Sequence, residues 1–263
     1  NYKELKAELE QKGYTFRSQT DTEVIAAAYD CWKEDCLSRF DGMFAFAIWD
    51  EQKRELFAAR DRFGEKPFFF FHDQHRFLFA SEMKALWAAG IDRIPNQKML
   101  FNFITIGYTG NPARPEETFY ENILQLPAAS YLKFSLIYFQ YTINSWWELD
   151  PEFEDKDITE AEALEEFASL LQSSVKRRMR SDLPIGTSLS GGIDSSSIVA
   201  MIHSLNHPNN SQQTFTAVFD GFEKDEAAFA STVAHAFRLQ QHVTRFTGDD
   251  LLRDWDKLCY HQE

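Results

Sequence analysis

Beyond residue 184 the chain alternates short apolar strands with helical patterns, and that alternation leaves it few ways to fold. Residues 185–189 read as strand, 195–205 as helix, 214–219 as strand, 225–237 as helix and 241–246 as strand, with a further helix from Asp249. Strand–helix–strand repeats close as a parallel sheet with right-handed crossovers, so this segment is expected to be α/β and doubly wound. A sheet of that kind binds ligands at the carboxyl ends of its strands.

A break in composition precedes it. Residues 150–166 hold nine acidic side chains and one Lys, opening with Pro151, and we place a boundary there, giving domains 1–150 and 151–263. In the second, Thr159-x-x-Glu162 is a capping box. The helix it opens carries Leu164, Phe167, Leu171 and Val175 on one face and closes on Lys176, Arg177, Arg178 and Arg180, a charge order that suits the helix dipole. In the first, 2–12 reads as helix closed by Gly13, and Thr20-x-x-Glu23 is a capping box opening a helix to residue 32. Strands follow at 43–49, 56–60, 68–71 and 77–80, then a short helix to 89, a helical pattern at 99–108, a Pro-containing loop at 111–117 and a strand at 131–141. Strands so continuously apolar imply a sheet covered on both faces.

Composition narrows the partners. The 263 residues include 25 Phe, 9 Tyr and 6 Trp, ample apolar surface for a core. With 27 Lys plus Arg against 41 Asp plus Glu the formal net charge is −14, which excludes broad binding to nucleic acid or an anionic membrane. A small anionic ligand stays compatible where backbone dipoles or Mg²⁺ supply the positive charge. No stretch approaches the roughly 18 uncharged apolar residues of a membrane span. Cys31, Cys36 and Cys259 are odd in number and without framework spacing, so a reducing, cytoplasmic setting is expected. Cys31-x4-Cys36 has no second Cys or His pair, and the seven His show no metal-ligand spacing. Asn209-Asn210-Ser211 matches a glycosylation pattern that a cytosolic chain does not use.

The sharpest motif is Ser188-Leu189-Ser190-Gly191-Gly192-Ile193-Asp194-Ser195-Ser196-Ser197, between the first strand of the α/β segment and its first helix. Gly191 and Gly192 would let the backbone approach an anion, and the N–H groups opening the helix would point at it. Ser190, Ser195 and Ser196 add hydroxyls, and Asp194 is placed to hold Mg²⁺ by its carboxylate. Neither the Gly-Lys-[Ser/Thr] ending of a Walker A loop nor G-x-G-x-x-G is present.

Ser190-Gly191-Gly192-x-Asp194-Ser195 resembles the pyrophosphate loop of the ATP pyrophosphatases. Ser18-x-x-Asp21-Thr22-Glu23-Val24, Phe40-Asp41-Gly42-Met43-Phe44-Ala45-Phe46-Ala47, Arg60-Asp61-x-x-Gly64-x-x-Pro67 and Ala80-Ser81-Glu82-x-Lys84-Ala85 resemble the glutaminase domain of glutamine-hydrolysing asparagine synthetase. The resemblance runs over nearly the whole chain in the family's order. It implies part of an α+β N-terminal-nucleophile glutaminase sandwich followed by part of an α/β doubly wound ATP-pyrophosphatase domain. Ammonia from glutamine would be passed to an aspartate adenylated on its side-chain carboxylate, giving asparagine, glutamate, AMP and pyrophosphate. Carried over by position, Asp21 matches a residue holding the α-amino group of glutamine. Leu189 and Val218 match ATP contacts, alongside Ser190, Gly191, Gly192, Asp194, Ser195 and Ser196, and Asp194 matches a Mg²⁺-holding Asp. Arg60 and Asp61 are expected to form an ion pair stabilising the sheet. Substrates are then glutamine, aspartate and ATP with Mg²⁺, with neither nucleic acid nor membrane as partner, and the resemblance admits a homodimer.

Departures are equally legible. The family's nucleophile is a Cys at the mature N-terminus, and none of the three Cys lies there. Asn1 resembles the end of a family segment, and residues 261–263 the start of another, so the chain is expected to be a fragment without either activity by itself. Residues 126–130, Leu-Pro-Ala-Ala-Ser, replace the more usual Leu-Pro-Pro-Gly-His. Two other readings keep the motifs: an amide synthase or cyclase of a biosynthetic cluster acting on another carboxylate, and an inactive scaffold homologue.

Overall fold

A computed structural model describes residues 1–154, 157–181, 183–205, 212–219, 221–223 and 225–263. The chain divides into two compact units, Asn1–Glu152 and Phe153–Glu263. His207 and the pattern at 209–211 lie outside the described residues. Among the described residues, no helix is long and apolar enough to cross a membrane.

The first unit has four layers. Helices α1 (Tyr2–Gln11) and α2 (Asp21–Trp32) lie against one face of a sheet ordered β1-β2-β6-β7, made of β1 (Ala45–Asp50), β2 (Glu55–Arg60), β6 (Ser130–Ser135) and β7 (Gln140–Ser145). A second sheet, β4-β3-β5, comprises β3 (Phe69–His72), β4 (Phe77–Ala80) and β5 (Leu124–Gln125), and α4 (Met83–Ala88) packs on its far side. All pairings in both sheets are antiparallel.

The period of two explains the layering. On β1 and β2, Phe46, Ile48, Phe57 and Ala59 face Leu5, Leu9, Val24 and Ala28 of the helices. The intervening Ala45, Ala47, Leu56 and Ala58 face the other way, with Leu132 and Phe134 of β6, and meet Phe68, Phe70 and Phe77 of the second sheet. Aromatic rings fill that interface: Phe77 stacks on Phe134 at 4.4 Å and Phe70 meets Tyr141 edge-on at 5.2 Å. The expected coverage of both faces is therefore present.

Several elements depart from expectation. Residues 131–141 form a hairpin, not one strand, and Leu136, Ile137 and Tyr138 are exposed in its turn. Apolar turn residues erased the punctuation that a polar turn would have given. The second capping box does not form, because Thr20 makes no cap hydrogen bond. Glu23 instead accepts from the Ser18 hydroxyl and the Arg17 and Ser18 amides, which holds its carboxyl down to about 2. Cys36 opens a short helix, α3 (Cys36–Arg39). The 99–108 pattern is α5 (Gln97–Ile106), stopped by Gly107 at φ 73°.

Arg60 and Asp61 bind main chain instead of each other. Asp61 is buried and accepts from the amides of Phe44, Phe63, Glu65 and Lys66 at 2.9–3.2 Å. Burial alone would raise its pKa; those four donors outweigh it and hold the carboxyl below the usual range. Arg60 donates to the carbonyls of Gly64, Lys66 and Leu126, each at 2.7 Å.

In the second unit, α6 (Glu160–Arg178) begins with a complete Thr159–Glu162 capping box. Of its expected apolar face only Val175 is buried, and Leu164 and Phe167 are 63% and 64% exposed. Strands β8 (Gly186–Ser188), β9 (Gln213–Val218) and β10 (Gln240–Arg245) pair in parallel, in the order β10-β9-β8. Helices α7 (Ile193–Ser204) and α8 (Ala227–Ala236) share a core of Leu189, Val199, Ala230 and Ala234. After β10, α9 (Gly248–Gln262) starts with a Thr247–Asp250 capping box that the sequence reading missed.

Two outcomes are expected. Asp61→Asn halves the acceptors available to four buried amides and should lower the stability of the first unit by about 2–4 kcal/mol in urea unfolding. Because the folded carboxyl lies below its unfolded value, near 3.9, its contribution is full above that pH and fades as pH falls through the folded pKa. The variant's acid limb should be correspondingly flatter. Ala129, where the family pattern has Gly, is held at φ 51° by hydrogen bonds of its amide to Asp61 and its carbonyl to Trp146. Ala129→Gly should therefore raise stability by about 0.5–1 kcal/mol, read as a higher Tm.

Candidate functional site

The Ser-Gly-Gly loop leaves β8 where the parallel ladder ends. The Leu189 amide donates to Phe215 O at 2.9 Å, and the Leu189 carbonyl accepts from the buried Thr216 hydroxyl at 2.9 Å. Both contacts fix the strand's exit, so the next residues turn outward. Ser190 and Ser195 hydroxyls lie 3.0 Å apart, the Gly192 amide donates to Ser190 Oγ at 3.3 Å, and Ser195 Oγ donates to Gly192 O at 3.2 Å. The loop is thus laced across the start of α7, whose first-turn amides have no partner within the helix. Ser196 Oγ is buried without a hydrogen-bond partner.

The two glycines serve different ends. Gly191 has φ 84°, and a Cβ there would stand 2.4 Å from the Phe229 carbonyl carbon and 2.5 Å from the Ala230 amide of α8. Its lack of a side chain is demanded by helix packing, a constraint the sequence does not show. A Cβ on Gly192 would meet only Ser190 Oγ, at 3.4 Å, so that residue leaves its backbone open.

A cleft of about 510 Å³ opens above the carboxyl ends of the strands. Ser188, Leu189, Ser190 and Ser195 line one part, and Phe215, Thr216, Ala217, Phe219, Phe222, Glu226, Thr244 and Phe246 the rest. Leu189 reaches it, while Val218 is buried and does not line it; its neighbours Ala217 and Phe219 do. Asp194 is exposed in the first turn of α7. Sequence reasoning missed the aromatic residues. Their signal was positional, Phe219 and Phe246 each standing one residue beyond a strand.

In the first unit a smaller cleft of about 150 Å³ is lined by Asp21, Val24, Ile25, Phe40, Asp41, Gly42 and Phe44 among others. Asp21 is exposed as the first residue of α2. Asp41 joins it through the fold, not the sequence, since the Asn1 side chain accepts from the Asp41 amide and donates to Arg39 O, both at 2.9 Å. None of the three Cys lines either of these clefts. Burial, aided by Glu34 and Asp35, pushes the Cys36 thiol up to about 12, which leaves it neutral and unreactive. Among the described residues, no group of three or more His, Cys, Asp or Glu could hold a metal.

Comparison with known proteins adds an independent line. Residues 1–147 match the family model described as a glutamine amidotransferase domain, and residues 166–263 the one described as asparagine synthase. A putative glutamine-hydrolysing asparagine synthetase of Methanocaldococcus jannaschii is 35% identical over 99% of this chain and 49% of its own length. Asparagine synthetase 1 of Bacillus subtilis is 32% identical over 99% of this chain and 40% of its own. Amidase chry2 of Gibberella zeae is 27% identical over 100% of this chain and 40% of its own. The chain thus spans half or less of the length of the relatives it matches.

The packing at Gly191 makes a direct prediction. Gly191→Ala meets backbone and a strained φ, and should cost the second unit about 2–3 kcal/mol, whereas Gly192→Ala should leave the thermal transition of the same unit nearly unmoved.

Proposed function

Because the chain belongs to the family in which a glutamine amidotransferase domain precedes an asparagine synthase domain, we propose that the protein carrying it converts aspartate and glutamine to asparagine and glutamate with ATP. The observation that supports this most is the Ser190–Ser196 loop, laced at the carboxyl end of a parallel strand and opening a helix into a 510 Å³ cleft.

A carboxylate is a poor electrophile until one of its oxygens can leave. In the proposed reaction a side-chain carboxylate oxygen of aspartate attacks the α-phosphorus of ATP, and the bond to the bridging oxygen of pyrophosphate breaks. Ammonia then attacks the carbonyl carbon of the β-aspartyl adenylate, and AMP leaves. The chain's own residues would bind and orient the triphosphate: the first-turn amides of α7 and the hydroxyls of Ser190, Ser195 and Ser196 as donors, with Gly192 leaving backbone accessible. A helix start rich in donors fits a polyphosphate. Asp194, exposed at that same start, is the carboxylate that would hold Mg²⁺, which neutralises phosphate charge when bound. Mg²⁺ commonly takes one or two protein carboxylates and completes its shell with phosphates and water. In the first unit, Asp21 would hold the α-ammonium of glutamine.

The amidase among the relatives favours a second reading, amide formation on a carboxylate other than aspartate. One experiment separates the two. The full-length protein is given Mg-ATP, aspartate and glutamine, while AMP, pyrophosphate and asparagine are followed together. Equal yields of the three support the first reading; AMP formed with another carboxylate but not with aspartate supports the second. Asp194→Ala should abolish all three products and leave glutamate release from glutamine intact.

A further inference from the structure

The cleft above the parallel sheet is chemically divided. The hydroxyls of Ser190 and Ser195 follow β8 at one side of the strand order, and the rings of Phe219 and Phe246 follow β9 and β10 at the other. The ladder between β9 and β10 ends with Val218 opposite Arg245, and the Phe246 amide donates to Val218 O at 3.2 Å. Phe219 and Phe246 therefore leave the sheet side by side. Their rings stack, with centroids 5.8 Å apart and planes 26° from parallel, and Phe222 approaches Phe219 edge-on at 6.4 Å. Yet Phe219 and Phe246 are 47% and 48% exposed. Two large rings held rigid by a strand end and left half in water are an apolar surface awaiting a flat ligand.

We propose that Phe219 and Phe246 are the platform for the purine base of the nucleotide whose phosphates lie on the Ser190–Ser195 loop. The proposal rests on the ATP reading of that loop and adds the residues that select a nucleotide over a bare polyphosphate. The same rings also wall a neighbouring cleft beside α9, but Ser190 and Ser195 line only the first, which assigns the base to that side. A cleft with donors on one side and π-faces on the other matches a molecule with an anionic tail and an aromatic head. Stacking is tolerant of which base is presented, so the platform recognises a flat heterocycle and leaves discrimination among bases to polar contacts elsewhere.

The test compares Mg-ATP with inorganic tripolyphosphate, each titrated calorimetrically into the full-length protein and its variants. Phe246→Ala should weaken ATP by about ten- to a hundredfold, the range that one lost base–aromatic stack spans. It should leave tripolyphosphate affinity unchanged, and Phe246→Tyr, which keeps the ring face, should retain ATP affinity. Loss of affinity for both ligands in Phe246→Ala would show a structural role and overturn the platform. ATP affinity unchanged in both Phe246→Ala and Phe219→Leu would overturn it too, while leaving the ATP reading in place. Absence of ATP binding by the unaltered protein would overturn the reading of the loop and the platform with it.

Discussion

One buried carboxylate organises the first unit. Asp61 sits where five pieces of chain converge, and its two oxygens gather the amides of Phe44, Phe63, Glu65 and Lys66. Its own amide donates to Phe44 O, and its carbonyl accepts from Ala129. Arg60, one residue earlier, binds three carbonyls of the same neighbourhood, and its own carbonyl accepts from the Trp146 indole at 3.1 Å. The start of β1, the end of β2, the loop after it, the entry to β6 and the exit of β7 are thereby tied at one point. A buried charge is costly without partners; four amide donors make this one tenable and turn the loop at 63–66 into a fixed structure.

That knot bears on the cleft of the same unit. Phe44 follows Asp41, Gly42 and Met43 and lines the cleft together with Asp21. Anchoring Phe44 at both its amide and its carbonyl fixes the path of the Phe40–Phe44 segment. The chain tolerates a left-handed alanine at 129 for the same reason, since hydrogen bonds to Asp61 and Trp146 over-determine its conformation.

The second unit uses neutral groups for the same purpose. The buried Thr216 hydroxyl holds the Leu189 carbonyl, and the approach of Gly191 to α8 sets how closely the loop lies on the helix behind it. Strand exit, loop and helix start are in this way positioned by contacts that involve none of the proposed ligand's atoms. A site of that kind is preorganised, and binding need not order it.

What the sequence by itself determined was local. Strand and helix order beyond residue 184, the Thr159 capping box, the Gly13 stop and the phosphate-loop motif are set by side-chain period and by turn chemistry within a few residues. The same local reading failed where local signals conflict: Leu136, Ile137 and Tyr138 made a turn look like strand, and Ser18 took from Thr20 the carboxylate of Glu23. Only the tertiary structure decided that Arg60 and Asp61 clamp backbone instead of pairing, that Gly191 answers to Phe229 and Ala230, that Asp41 shares a cleft with Asp21, and that Phe246 comes to lie on Phe219. Each of those depends on the register and packing of segments distant in the chain, which burial and hydrogen bonding select together and which no short stretch of residues encodes.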